Sequence, residues 1–317
     1  MTRIFMSRPL PQKVQAAARA EFDLTVRQDT GPLSREEMCA ALSDYDGVVP
    51  TLGDIFSAEI FAQVPAPRCK VLANFGVGYN HIDVSAATAA GIAVSNTPGA
   101  VTDATADIAL CLMLMTARRA GEGERLLRAG AWEGWHPTQL LGLHLGGKTV
   151  GIVGMGRIGQ AIARRCHFGF GMKIAYHSRS AKSLDFPATR ADNLASLAAQ
   201  VDVLVIAVPG GEETHHLINA DVLSAMQRHA HLVNIARGNV VEEKALIAAL
   251  TAGQIAGAGL DVYEFEPEVP QALQDMENVT LLPHLGTAAL EVREEMGLMS
   301  VVNLKAFFAG QPLPNAV

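Results

Sequence analysis

No apolar run in the 317 residues is long enough to cross a bilayer. The most apolar stretch, residues 104–117 (ATADIALCLMLMTA), has 14 residues and includes Asp107, against the ~20 that a membrane helix needs. It fits a helix buried on most sides. The N-terminus, MTRIFMSRPLPQK, lacks the apolar core of a signal peptide. No run of Lys and Arg offsets the net charge of −7, which excludes a nucleic-acid partner. Cysteines are few: Cys39, Cys69, Cys111 and Cys166 show neither disulfide pairing nor ligand spacing and read as reduced thiols. His81 has no second His or Cys at ligand spacing, so no metal site is expected. Repeats and low-complexity segments are also absent. These absences leave a soluble, cytoplasmic protein without a membrane partner as the expectation.

The material present, 49% hydrophobic and 18% charged, suffices for sizeable cores, and the length suggests about two domains. Short β-rich runs alternate with helical ones. RIFMS (3–7), DGVVP (46–50), VLANF (71–75) and IAVSN (92–96) form a first series, with a capping box at Ser34–Glu37 opening one of its helices. A long helix from about 102 to 120 follows, and then an irregular excursion, 121–147, with Trp132 and Trp135. A second series runs TVGIV (149–153), KIAYH (173–177), VDVLVIAV (201–208), AHLVNIA (230–236), AGAGLDV (256–262) and NVTLL (278–282). Residues 287–309 read as a terminal helix. Continuously apolar strands between helices imply parallel sheets covered on both faces, hence two α/β domains with a ligand cleft between them.

Between the first strand of the second series and the next helix stands Gly154-x-Gly156-x-x-Gly159. In that setting the glycines provide a tight turn, a close backbone approach to a pyrophosphate and close helix–strand packing. An NAD site would carry an acid at the end of the following strand to hold the ribose 2′-hydroxyl. Here His177, Ser178, Arg179 and Ser180 occupy that place. An imidazole, two hydroxyls and a guanidinium suit a 2′-phosphate, so NADP(H) is favoured, with NAD(H) as the alternative.

Three polar residues lie just beyond strands of the second series: Arg237, Glu266 and His284. Parallel strands bring their carboxyl ends to one edge, where these side chains can meet. Reduction of a 2-oxo acid needs a hydride at C2, a proton for the carbonyl oxygen and a cation for the carboxylate. His284 suits proton donation, Glu266 would fix and charge its ring, and Arg237 can grip a carboxylate with two hydrogen bonds. Glu264, close by, is expected to face solvent.

The segments NFGVGYNHID (74–83), SNTPGAVTDATADIAL (95–110), GIVGMGRIGQAIARR (151–165), NIARGNVVEEKAL (234–246), AGAGLDVYEFEPEVP (256–270) and LLPHLGTAA (281–289) resemble the D-2-hydroxyacid dehydrogenase family. They run in the family's order over most of the chain. WEGWHPTQLLG (132–142) and His-Ser-Arg-Ser are most similar to the glyoxylate/hydroxypyruvate reductase branch. The resemblance implies a flavodoxin-like substrate domain, 1–98 plus 289–317, and a Rossmann cofactor domain, 99–288. It implies that Arg237 binds substrate, Glu266 supports His284 and His284 donates the proton. The amides of Val77 and Gly78 would take the substrate carboxylate, with Leu52, Phe75 and Trp135 lining its place. Thr105 and Asp261 match positions near the nicotinamide. Around the glycine loop the implied cofactor contacts include Met155, Arg157 and Ile158. Beyond the later strands they include Val208, Pro209, Thr214, Ile235, Ala236, His284 and Gly286. The Trp132–Trp135 segment matches a dimer arm, so a homodimer is implied, with Trp135 reaching the partner's site. The expected activity is NAD(P)H-dependent reduction of glyoxylate or hydroxypyruvate to the D-hydroxy acid. Related D-lactate, phenylpyruvate or phosphoglycerate enzymes, or a nucleotide-sensing binding protein, are the competing readings.

Overall fold

The computed structural model describes all of residues 1–317. The chain divides into two units, Met1–Val101 with Thr287–Val317, and Thr102–Gly286. No helix is long and apolar enough to cross a membrane.

In the first unit, β1 (Arg3–Met6), β2 (Asp23–Val26), β3 (Gly47–Val49), β4 (Val71–Ala73) and β5 (Ala93–Ser95) form one sheet. Its order is β2-β1-β3-β4-β5 with every neighbouring pair parallel, the flavodoxin-like arrangement. Helices α1 (Gln12–Glu21), α2 (Arg35–Asp44), α3 (Ala58–Gln63) and α4 (Val84–Ala89) connect the strands. Both faces are covered, which is why β3 and β4 are apolar at every position. On one side Val14 and Ala18 of α1 and Val301 and Leu304 of the C-terminal helix (Leu290–Phe308) pack on Ile4, Met6 and Val71. On the other, Met38, Leu42, Ile60 and Ala87 pack on Val48, Leu72 and Val94. The capping box is present at α2: Ser34 Oγ accepts from Glu37 N at 3.2 Å, and Glu37 Oε2 accepts from Ser34 N at 2.8 Å.

The second unit opens with α5 (Thr102–Ala117) and α6 (Ala120–Arg128). It continues with β6 (Thr149–Val153), α7 (Arg157–Phe170), β7 (Lys173–His177), β8 (Ala188–Arg190), α8 (Leu194–Ala198), β9 (Val203–Ile206) and α9 (Ala220–Ala225). It closes with β10 (His231–Asn234), α10 (Glu243–Thr251), β11 (Gly257–Leu260), α11 (Gln271–Gln274) and β12 (Val279–Leu281). The sheet order is β12-β11-β10-β9-β6-β7-β8, all parallel, a Rossmann order with one strand added at its far edge. One apolar layer joins α5 and α7 to β6, β7, β9 and β10, and another joins α8, α9 and α10 to the opposite face.

The structure departs from the sequence expectation in two kinds of place. Two edge strands, β2 and β8, lie where the sequence reading places no strand, because an edge strand with exposed positions lacks an apolar run. The expected excursion at 121–147 begins as helix α6, separated from α5 by Arg119 in the left-handed region at φ 53°. Two glycines in AGEGERLLR hide that helix from a propensity reading.

Candidate active site

The loop from β6 to α7 follows from close packing. Gly154 has φ +97°, and a Cβ there would stand 2.6 Å from Ala207 O. A Cβ on Gly159 would lie 2.0 Å from Gly154 O, so only glycine lets α7 begin so near its strand. Around Gly156 nothing lies within 4 Å of an added Cβ, which leaves the N-terminus of α7 bare toward solvent. Arg157 and Ile158 form the first helical positions there, while the Met155 side chain is buried in the core, leaving its backbone to face the loop. A helix N-terminus with open backbone amides is an anion cradle.

Past β7, His177 Nδ1 donates to Ala191 O at 3.2 Å, and Ser178 Oγ donates to Ser180 O at 2.7 Å. Arg179 is exposed and pairs with the equally exposed Glu213 at 3.6 Å. Arg190 Nη2, on β8, donates to Ser178 O at 3.0 Å; sequence reasoning missed this residue because it missed its strand. After β9, Val208 and Pro209 lead into a loop closed by Thr214, whose Oγ1 donates to Pro209 O at 2.8 Å. An added Cβ on Gly210 would stand 2.7 Å from Arg237 Cγ, so this loop lies against the Arg237 stem.

Arg237 follows β10 through the buried Ile235 and Ala236. Asn234 shapes the turn, accepting Ala236 N on Oδ1 and donating Nδ2 to Arg237 O, each at 3.0 Å. Arg237 Nη1 donates to Ala236 O at 2.7 Å. Burial draws the guanidinium pKa below the usual arginine value, and the Glu266 charge opposes that shift.

His284 sits beyond β12 in the left-handed region, φ 54°. Its Nδ1 lies 2.8 Å from Glu266 Oε2, and both side chains are 30% exposed. Tyr263 N donates to Glu266 Oε1 at 3.0 Å. Burial raises the Glu266 pKa, but the hydrogen bond and charge of His284, with Tyr263 N and Arg237, outweigh it and hold the carboxyl below its usual range. Asp261, buried after β11, anchors the His284 loop: its carboxylate accepts Leu285 N at 2.6 Å and Gly286 N at 2.9 Å, and its carbonyl accepts His284 N at 2.9 Å. Thr105 Oγ1, in the first turn of α5, donates to Gly286 O at 3.2 Å. Burial pushes the Asp261 pKa up, against the pull of the two amides and of His284. Glu264 corrects an expectation. Its side chain is only 12% exposed, taking a 2.7 Å hydrogen bond from His216 Nε2 and a 3.3 Å bond from Glu243 N, because the turn after β11 folds back on α10.

In the first unit, the loop after β4 carries Phe75, Val77 and Gly78. Asn74 Nδ2 donates to Gly76 O and Gly78 O at 3.0 Å each, and Asn96 Nδ2 to Val77 O at 2.8 Å. The carbonyls are tied inward, while the Val77 and Gly78 N–H groups donate to nothing within the chain. His81 Nε2 is 3.0 Å from Asn74 Oδ1, a structural contact. Leu52 lies on a loop held by Asp54, which accepts Thr51 N at 2.8 Å, and by Arg8, which donates to Leu52 O at 2.5 Å. Trp135 is 79% exposed in a segment without helix or strand.

Residues 110–286 match the pattern of the D-isomer specific 2-hydroxyacid dehydrogenase, NAD binding domain, and so cover over half of the chain. The chain is 43% identical over 321 aligned positions to a glyoxylate reductase of Pyrococcus furiosus, covering 99% of this chain and 95% of that one. A glycerate dehydrogenase of Hyphomicrobium methylovorum is 36% identical, with 99% and 98% covered. Among solved structures, the NADPH-dependent glyoxylate/hydroxypyruvate reductase of Sinorhizobium meliloti, in complex with NADP and malonate, superposes with a TM-score of 0.88 at 39% identity over 100% of this chain and 96% of that one. The chain belongs to the D-2-hydroxyacid dehydrogenase family. It is an NAD(P)-dependent oxidoreductase. The open glycine loop at α7 fits the pyrophosphate of the nicotinamide cofactor that this family uses.

Proposed function

We propose that this dehydrogenase reduces a small 2-oxo acid, glyoxylate or hydroxypyruvate, to the D-2-hydroxy acid, with NADPH favoured over NADH. The observation that carries the reading is the His284–Glu266 pair at 2.8 Å, half-open to solvent on the same sheet edge as Arg237 and the glycine loop. The first unit is the substrate-binding domain and the second the cofactor domain.

When bound, the reduced nicotinamide supplies the hydride for C2. His284 delivers the proton to the carbonyl oxygen from Nε2, because Nδ1–H is held by Glu266 and that hydrogen bond fixes the tautomer. The Glu266 carboxylate, kept ionised by its own lowered pKa, stabilises the ring's charge before transfer. Arg237 orients the substrate carboxylate and the developing alkoxide through paired N–H donors. The unengaged amides of Val77 and Gly78, in the first unit, are anion donors suited to a carboxylate. Asp261 and Thr105 hold the His284–Gly286 loop in place, and that loop would face the nicotinamide.

Support for NADPH is the polar, cationic turn that replaces the ribose-binding acid, His177 to Ser180. Support for a homodimer is the set of exposed apolar residues in one arm, Leu127, Trp132, Trp135 and Leu141, each at least 50% exposed. Initial rates of NADPH and NADH oxidation with glyoxylate, hydroxypyruvate, pyruvate and phenylpyruvate test the proposal. Fast turnover of the first two with NADPH is expected. Equal or better rates with phenylpyruvate would reassign the substrate, and an NADH preference would overturn the reading of the turn.

A further inference from the structure

The turn after β7 is braced from a side that the sequence does not reveal. Arg190 closes β8 opposite Tyr176 in the sheet register, so its backbone is fixed. From there its Nη2 donates to Ser178 O at 3.0 Å and to Arg179 O at 3.4 Å, while the next residue, Ala191, takes the His177 Nδ1 bond at 3.2 Å. Nε and Nη1 of Arg190 make no hydrogen bond or ion pair within the chain, so the guanidinium keeps donors and charge for a ligand. Arg179 is placed differently. It is 93% exposed and its one ion pair is with Glu213, itself 87% exposed, at 3.6 Å. Exposed pairs of this kind hold their partners weakly.

Resting on the NADP(H) reading above, we propose that Arg190 is the fixed cation of the 2′-phosphate site, and Arg179 its mobile complement, held by Glu213 until a phosphate displaces that carboxylate. Arg190 acts twice. It draws the Ser178 and Arg179 carbonyls back onto itself, which keeps their negative ends from the phosphate, and its Nε and Nη1 donors stay unengaged next to the turn that carries Ser178 and Ser180. A planar guanidinium can do both at once, because its five donors point in fixed and different directions. A dianionic phosphate is the ligand chemistry that this combination of a braced cation, hydroxyls and a second mobile cation recognises.

Calorimetric binding of adenosine 2′-monophosphate and adenosine 5′-monophosphate to the whole protein isolates this site from catalysis, since only the first carries the diagnostic phosphate. Wild type is expected to bind the 2′-phosphate at least about tenfold more tightly. Arg190→Gln, which keeps an N–H donor for the carbonyls and removes the charge, should weaken the 2′-compound about tenfold and leave the 5′-compound within twofold. Arg190→Lys should recover part of the loss, and Arg179→Ala should weaken the 2′-compound by less than Arg190→Gln. Glu213→Gln should tighten it a few-fold. Equal weakening of both nucleotides in Arg190→Gln would mean that Arg190 only holds the turn's shape, overturning the proposal. A wild type that does not distinguish the two would overturn the NADP(H) reading itself. A wild type that does, with Arg179→Ala alone impaired, would keep that reading and sink this inference.

Discussion

Two histidines occupy opposite ends of the same seven-stranded sheet and have been given opposite surroundings. His284 lies beyond the carboxyl end of β12, 30% exposed, with a carboxylate at 2.8 Å. His231 opens β10 at the amino end, 7% exposed, and its Nδ1 has no hydrogen-bond partner within the chain. Thr116 Oγ1, also buried and unpartnered, lines the same cavity of about 550 Å³, together with His229, Glu277 and Thr280. Burial, with His229 adding repulsion, pushes the His231 pKa down to about 4. A histidine at a strand end therefore carries no chemistry by itself. At the carboxyl edge, loops bring a carboxylate to the ring and an arginine charge to that carboxylate, and at the amino edge the ring is simply enclosed.

The largest test of this contrast removes the ring proposed as the proton donor. His284→Ala should lower kcat about 10²- to 10⁴-fold while nucleotide affinity, followed by cofactor fluorescence, stays within about twofold. An unchanged kcat would remove the distinction between the two ends. Next in size is the glycine that lets the carboxyl edge form. Gly159→Ala would set a methyl 2.0 Å from Gly154 O, so the loop must shift. A stability loss of about 3 kcal/mol in urea unfolding, with nucleotide binding weakened at least about tenfold, is expected. Binding at wild-type strength would show that the loop's closeness to α7 does not matter for the cofactor.

Much of this edge was legible in the chain. The strand limits 149–153 and 173–177 agree residue for residue with β6 and β7, because each has a buried apolar centre and is followed by a turn former. Gly154, Gly156 and Gly159 gained meaning from that context, and the Glu266–His284 contact follows from two parallel strands ending at one edge. What stayed hidden depends on pairings with no local signature. Ala188–Arg190 is three residues of exposed edge strand, and without it Arg190 has no reason to stand beside Ser178. Glu264 looks like Glu266 in sequence, but the backbone turn points one at His216 and the other at His284. His231 reads as one apolar-strand position among others, and only the packing of Thr116 and Gly257 around it reveals a ring without a partner.

The smallest of these effects belongs to that enclosed ring and is read through pH. An ordinary histidine titrates near 6.5 when unfolded, and His231 titrates at about 4 when folded. Between those values the unfolded chain binds the extra proton, so stability rises with pH through the window from 4 to 6.5 and the penalty is complete below it. At pH 5 the difference amounts to about 2 kcal/mol, and at pH 7 it is close to zero. His231→Leu keeps the volume and removes the proton site, and its stability should fall by about 2 kcal/mol less than wild type between pH 7 and pH 5. Other acids titrate in both proteins and cancel in that comparison, including Asp202, which hydrogen-bonds the neighbouring His229 at 2.7 Å. Urea midpoints at the two pH values give the answer. Parallel falls would show that the folded protein protonates His231 as readily as solvent does, and the two ends of the sheet would then differ in catalytic partners but not in the cost of charging a ring.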